Sequence, residues 1–365
     1  MQTQQKNSTE DRGKKRTKIS EMNVNIVVIL VLFVEIWGQD ETISSWEDYK
    51  RIFNRTYRRP FRERRSRKAF GANLELVNAH NRAFSNNETT FRMAINQLAD
   101  LSSHEYLVRY IRMTSNEVPE DELREHVASF GHQPDIPDAI DWRQEGFNTP
   151  PDNQKSCGSC YAFSIVHSIE GQIFKRTSKL ISLSEQQIVD CSGGAGNHGC
   201  AGGSLRNTLR YLVSCGGLMR QQDYPYTASE GKCHFLAPLS VVNVSNWAIL
   251  PSGSEMALAV AVATVGPIAV SINASPKSFQ LYGDGIYDDR QCSANSVNHA
   301  MLIVGYTPNY WILKNWWGER WGEHGYMRLQ RHRNLCGVAN YAAYAILSLQ
   351  NTNARDAKMA SHPCA

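Results

Sequence analysis

No cysteine occurs in the first 156 of the 365 residues, although nine follow. Charge is also sparse, at 20% of residues and a formal net charge of +4, and Lys6, Arg12, Lys14, Lys15, Arg16 and Lys18 supply much of the positive excess. That balance is too small to argue for a nucleic-acid partner. The apolar run Ile26–Val34 is about half of the roughly 20 residues that cross a bilayer. Behind a basic stretch and ahead of Gly38 it reads as a signal peptide over residues 1–38, with an uncleaved anchor as the alternative and membrane attachment only in that case. No repeat or low-complexity linker interrupts the rest, and 42% hydrophobic residues can bury a core of more than one folded unit.

Residues from about 39 to 134 are charged, helix-patterned and cysteine-free, whereas Asp135-Ile136-Pro137 opens a stretch of different texture. Confinement of cysteine to the later part agrees with an oxidising compartment, as do the sequons at Asn54, Asn87 and Asn243. A fourth sequon, Asn273, ends a strand-like run and is expected to be inaccessible. Within the later part, helical signals come first. Ser184-Glu185-Gln186-Gln187 reads as a capping box, and Leu205, Leu209, Leu212 and Val213 mark a helix that stops at Gly216-Gly217. Strand-like runs follow at Ile268–Ile272, from His299, at Tyr310–Lys314 and at Gly325–Leu329. The expected class is α+β, two lobes of unlike structure with a cleft between them.

The chemistry centres on Gln154-Lys155-Ser156-Cys157-Gly158-Ser159-Cys160. Ala162, Val166, Ile169 and Ile173 recur at helical steps, so Cys160 opens a helix with one buried stripe. There the positive end of the macrodipole favours a thiolate, which is the position of a nucleophile. C-x-x-C is also a zinc or dithiol spacing. No second C-x-x-C, no His pair at zinc spacing and no thioredoxin-like pattern accompanies it, so neither metal nor cofactor is expected.

The segment Cys157-Gly158-Ser159-Cys160-Tyr161 resembles the active-site signature of the papain and cathepsin cysteine peptidases. Asn298-His299-Ala300 and Lys314-Asn315-Trp316-Trp317-Gly318 resemble that family's other two motifs, in the same order. Gly231–Phe235 and the short Gly305–Trp311 connection are most similar to cathepsin O among the lysosomal members. Phe70, Asn73, Val77 and Asn81 resemble the second half of the proregion E-R-F-N-I-N helix, with Glu63 and Arg67 one position out of register. Ala94, Asn96, Leu98 and Asp100 are similar to the G-x-N-x-F-x-D segment.

The resemblance implies a papain-like fold, a helical lobe facing an antiparallel, barrel-like lobe, made as a zymogen. Its inhibitory propeptide would span residues 39–134 and lie backwards along the cleft; the peptidase domain would span 135–351, with a tail at 352–365. Maturation is expected between about residues 130 and 137. Cys160 would be the nucleophile, paired with an imidazolium on His299, with Asn315 orienting the ring, Gln154 as oxyanion donor and Trp317 covering the Asn315–His299 bond. Gly202 and Gly203 would form a ledge for extended peptide beside Asn298. Ser204, Leu205, Ser271, Val297, Ala300 and Tyr341 would wall the pocket for the residue two before the cut, with Tyr341 making it shallow. Disulfides Cys157–Cys200, Cys191–Cys233 and Cys292–Cys336 are implied, with Cys215 a buried thiol and Cys364 free. Lys155 and Trp316, which stand where the family has glycine and serine, are expected to narrow or charge the site. Partners would be peptide and protein substrates, the chain's own propeptide and cystatin-type inhibitors, for a monomer of the secretory pathway, lysosomal or extracellular. The competing reading is a silent homologue that binds peptides or inhibits.

Overall fold

Serine hydroxyls open several of the helices, each accepting a first-turn N–H left without an intrahelical partner. The computed structural model describes residues 43–114, 119–129 and 135–348. The expected signal peptide, the tail with Cys364 and most of the expected cleavage region lie outside them.

Among the described residues, five elements precede residue 130: α1 (Trp46–Ile52), α2 (Pro60–Ser85), β1 (Phe91–Met93), α3 (Ser103–Tyr110) and α4 (Glu120–His126). Ser45 caps α1, Pro60 begins α2 with its fixed φ, and Ser102 and Glu105 form a reciprocal capping box on α3. Trp46, Tyr49 and Phe70 pack together as the core of this part. The polar positions of α2 act as clamps. Asn73 donates to the carbonyls of Ala99 and Leu101, and Asn81 both donates to and accepts from the Met93 backbone. Glu63 pairs with Lys50 at 2.8 Å, while Asp100 accepts from Tyr49 and Tyr57.

The later part contains β2 (Ile140–Asp141), α5 (Cys160–Thr177), α6 (Glu185–Cys191), α7 (Leu205–Cys215), β3 (Leu218–Met219), β4 (Ser240–Ile249), α8 (Glu255–Thr264) and β5 (Ile268–Ile272). These are followed by α9 (Lys277–Gln280), β6 (Tyr282–Tyr287), β7 (His299–Tyr306), β8 (Tyr310–Lys314), β9 (Tyr326–Gln330) and β10 (Ala342–Ser348). The sheet runs β1-β6-β9-β8-β7-β5-β10-β4-β3, with β2 on β7. Pairing between these strands is antiparallel, as expected, with one parallel pair, β6 and β9. The edge strand β1 comes from the early part and pairs with β6.

Three local expectations are corrected. Helix α5 is buried around its whole circumference from Cys160 to Gln172 rather than along one stripe, because β5, β7 and β10 as well as α6 and α7 pack on it. Ser184 does cap α6, but Gln187 does not reach back to complete a capping box. Its amide turns inward, donating to Tyr211 and the Gly217 carbonyl and accepting from Met219. Cys215 is not a buried thiol: at the last position of α7 it is half-buried and disulfide-bonded. The three other bridges are as expected, Cys157–Cys200, Cys191–Cys233 and Cys292–Cys336. Asn273 is buried and donates to the Ser293 carbonyl, as its sequon's expected inaccessibility requires.

Candidate active site

Cys160 is the first residue of α5, His299 the first of β7, and Asn315 directly follows β8. Strands β7 and β8 are hydrogen-bonded neighbours, with Leu302 opposite Lys314, so the sheet brings His299 and Asn315 together. His299 Nε2 donates to Asn315 Oδ1 at 2.9 Å. The Trp317 ring stacks on the imidazole with centroids 5.0 Å apart, so it covers this bond and excludes water from it. Gln154 is fully buried, and its Nε2 donates to the Cys157 carbonyl at 2.8 Å, which leaves a second N–H on the same nitrogen.

The thiol and imidazole are both fully buried and lie outside their ordinary titration ranges. Burial pushes Cys160 up to about 12, against the pull of backbone N–H groups of Ala300, Tyr161 and Cys160 itself. Burial likewise lowers His299 to about 4, and the Asn315 bond only partly opposes this. Burial therefore favours the uncharged form of both groups while the early part of the chain is in place; the expected ion pair concerns the matured enzyme. Desolvation penalises two separated charges, and the early part of the chain packs against the residues around the pair, Trp317, Asn298 and Gly203.

That covering segment runs directly through the candidate cleft. Tyr106 and Tyr110 of α3 meet the Trp317 ring edge-on at 5.7 and 6.2 Å, and Gln97 donates to the Trp317 carbonyl. Beyond α3 the chain is extended: Met113 donates to the Asn298 carbonyl at 3.1 Å and Thr114 to the Gly203 carbonyl at 2.8 Å. Gly202 has φ +126, and a Cβ there would collide with the Arg112 carbonyl oxygen. Glycine at this position thus permits the close approach of one backbone to another. Sequence reading gave no sign of Met113, Tyr106 or Tyr110 in these roles, since none belongs to a recognisable motif.

The expected pocket residues fall in two groups. Ser204 caps α7 and Leu205 is fully buried behind it. Ser271 lies opposite Ala300 in the β5–β7 ladder and donates to the Tyr341 carbonyl, while Val297 is half-buried and Tyr341 buried. Lys155 has φ +55, the left-handed region where glycine is cheapest, and its side chain is exposed. Trp316 does not narrow the cleft as expected. Its indole is fully buried among Phe163, Ser164 and His167 of α5.

Behind Trp316 lies a buried charge cluster that offered no sequence signal. His167 Nδ1 is 3.0 Å from Glu170 Oε2; its Nε2 is 3.1 Å from Asp152 Oδ2 and 3.4 Å from Glu185 Oε1. Lys314 contributes its ammonium to Asp152 at 2.9 Å. Burial opposes the charge on His167, but Glu170 and Asp152 outweigh it and hold the imidazole protonated well above its usual range. Burial pushes the Glu185 carboxyl up from its ordinary value, against the pull of His167. A histidine inside a helix carries no local mark that carboxyls from three segments converge on it.

The family model described as papain family cysteine protease matches residues 136–346, and that described as cathepsin propeptide inhibitor domain (I29) matches residues 46–106. Cathepsin L1 of Drosophila melanogaster is 35% identical over 336 residues, covering 88% of this chain and 90% of that protein. Cathepsin L2 of Homo sapiens is 37% identical over 310 residues, covering 82% and 91%. Among solved structures, digestive procathepsin L 3 from the larval midgut of Tenebrio molitor matches with a TM-score of 0.75 at 36% identity, over 82% of this chain and 97% of that one.

Proposed function

Because the chain belongs to the papain family of cysteine proteases and carries the cathepsin propeptide inhibitor domain, we propose that it is an endopeptidase zymogen whose chemistry is carried by Cys160, His299, Asn315 and Gln154. The observation that carries this assignment is the His299–Asn315 bond of 2.9 Å beneath Trp317, beside a free cysteine at the start of α5. Once the propeptide leaves, water re-enters and the Cys160 proton passes to His299 Nδ1, the ring nitrogen that has no hydrogen-bond partner among the described residues. The thiolate then attacks the peptide carbonyl carbon, and the electron pair displaced onto oxygen is held by the free N–H of Gln154 and the Cys160 backbone N–H. Collapse of this intermediate expels the amine, which takes the proton from His299. Water, deprotonated by the same imidazole, releases the acid and restores the thiol.

Gly202, Gly203 and Asn298 supply a backbone ledge for extended substrate, supported by the way residues 112–114 already pair there. Ser204, Leu205, Ser271, Val297, Ala300 and Tyr341 would line a shallow apolar pocket. The proposed boundaries are signal peptide 1–38, propeptide 39–134, peptidase domain 135–351 and tail 352–365. A secretory route to lysosomes or outside the cell, inhibition by cystatin-type proteins and a monomeric state complete the reading.

Mass spectrometry of the full-length protein after incubation at acid pH with a thiol-directed epoxide, beside a Cys160→Ala control, tests it. Loss of the propeptide with one label on Cys160 is the expected result. An intact chain with unlabelled Cys160 would overturn the assignment.

A further inference from the structure

The buried charge cluster lies within two turns of the nucleophile on the same helix, since Cys160 and His167 are seven residues apart on α5. Neither His167 nor its neighbour Trp316 has a place in the chemistry just described. Yet Trp316 hydrogen-bonds to Asn315, to Gln154 and to the residue that follows His299. Its backbone N–H donates to Asn315 Oδ1 at 2.9 Å, the same oxygen that accepts from His299. Its carbonyl accepts from the Gln154 backbone N–H at 2.8 Å. Its indole Nε1 donates to the carbonyl of Ala300, next to His299, at 2.9 Å, and Ser164 Oγ lies 3.3 Å away on α5.

The indole needs something to lean on, and His167 provides it. The two rings are 4.8 Å apart at 30°, and Phe163 stacks on Trp316 at 5.5 Å from one turn earlier on α5. Both ring nitrogens of His167 face carboxyl oxygens, Nδ1 toward Glu170 and Nε2 toward Asp152 and Glu185. Carboxyl oxygens within 3.0 and 3.1 Å of the two ring nitrogens favour the positively charged ring, the imidazolium. A cation above an indole is favoured electrostatically, and Lys314 Nζ lies 5.7 Å from the same ring. The carboxyl cage thus fixes the ring plane of His167, and His167 fixes the plane of Trp316.

We propose that His167 is a positioning residue: as an imidazolium caged by Glu170, Asp152 and Glu185 and stacked on Trp316, it holds the Trp316 main chain where it orients both the Asn315 carbonyl and the Gln154 backbone. This rests on the assignment of Asn315 and Gln154 to the reaction. The unit never meets substrate, so losing it leaves binding alone and slows the chemistry. Misplacement by about 1 Å from a residue remote from the reacting atoms costs up to about a hundred-fold in rate.

The experiment compares His167→Gln, Glu170→Gln, the His167→Gln/Glu170→Gln pair, Trp316→Ser and His167→Gln/Trp316→Ser. Each is made as full-length protein, matured at acid pH and normalised by titration of active thiols with the epoxide. Removing His167 alone leaves a surplus carboxylate in the interior, so that variant loses thermal stability as well as rate. In the double variant with Glu170→Gln the charge is again balanced, and the substituted amide still offers an oxygen to the Leu183 N–H, from which Glu170 Oε1 accepts in the parent. The expected result is that the double variant regains thermal stability while kcat per titrated thiol stays ten-fold or more below the parent with KM within two-fold. Trp316→Ser lowers kcat to a similar extent, and adding His167→Gln to it costs no more than two-fold, as for two residues acting as one unit. Recovery of kcat along with stability in the double variant would overturn the proposal, leaving His167 a charge-balancing group. So would multiplying losses in the His167/Trp316 pair. If the parent protein itself takes no label at Cys160, the catalytic assignment beneath has failed, a result the parent sample alone reveals.

Discussion

Glu105 in the propeptide is expected to set how readily acid opens this zymogen. Its carboxylate accepts from the Ser102 backbone N–H at 3.2 Å and the Ser102 hydroxyl at 2.9 Å, closing the capping box of α3. Arg65 and Arg109 lie 3.2 and 3.7 Å away. Burial opposes the charge, but Ser102 and the two arginines together hold the carboxyl below its ordinary value of 4.5. A carboxyl lowered by folding contributes stability that is complete above its unfolded value and is lost as pH falls through the folded one. Protonation therefore loosens the first turn of α3. That helix carries Tyr106, whose hydroxyl donates to the Ala274 carbonyl at 2.6 Å and whose ring caps Trp317. Glutamine can still close the capping box, so what Glu105→Gln removes is the negative charge in the first turn of α3 beside Arg65 and Arg109, worth about 1 kcal/mol, and this should raise the open population about five-fold. The assay uses full-length Cys160→Ala protein, which cannot process itself, cleaved by a fixed trace of mature enzyme whose rate reports the open fraction. At pH 6.5 Glu105→Gln should be cleaved about five-fold faster, and the ratio should be smaller at pH 3.5, because the parent loses its charge as pH falls toward and through the lowered folded value. An equal ratio at both pH values, or no difference at either, would refute the reasoning.

Other outcomes follow from the same geometry. With the thiol pushed up to about 12 and His299 down to about 4, iodoacetamide should alkylate Cys160 of the intact zymogen at pH 7 at least ten-fold more slowly than after maturation; equal rates would mean the ion pair exists beneath the propeptide. Gly202→Ala forces a side chain into a φ of +126 against the Arg112 carbonyl, so the propeptide should be shed at higher pH, measured as the pH midpoint of processing, and KM for peptides should rise. Cys191→Ala with Cys233→Ala opens a bridge across 42 residues, worth about 4 kcal/mol in the chain-entropy account, and should lower the melting temperature well beyond any change in kcat per titrated thiol.

Short-range physics fixed what could be read from the sequence alone. The start of α5 at Cys160, the strand that opens at His299, the strand that ends before Asn315 and the stop of α7 at Gly216 all follow from periodicity, caps and turn residues within a few positions. The disulfide framework came from family resemblance, because spacing alone allows many pairings. The Ser184 segment shows the limit of local reasoning: its hydroxyl caps as a serine should, but Gln187 found better partners in Tyr211, Gly217 and Met219, which no local window contains. Tertiary structure alone decided that α5 is buried on every side, that Met113 and Thr114 lie along Asn298 and Gly203, and that Trp316 turns inward rather than into the cleft. It also decided the charge states. Cys160 at a helix start reads as a thiolate, and His167 reads as an ordinary helix residue, until packing removes water from the first and gathers three carboxyls around the second. Periodicity and capping act over a few residues, whereas desolvation and ion pairing depend on which distant segments converge, and only the folded chain specifies that.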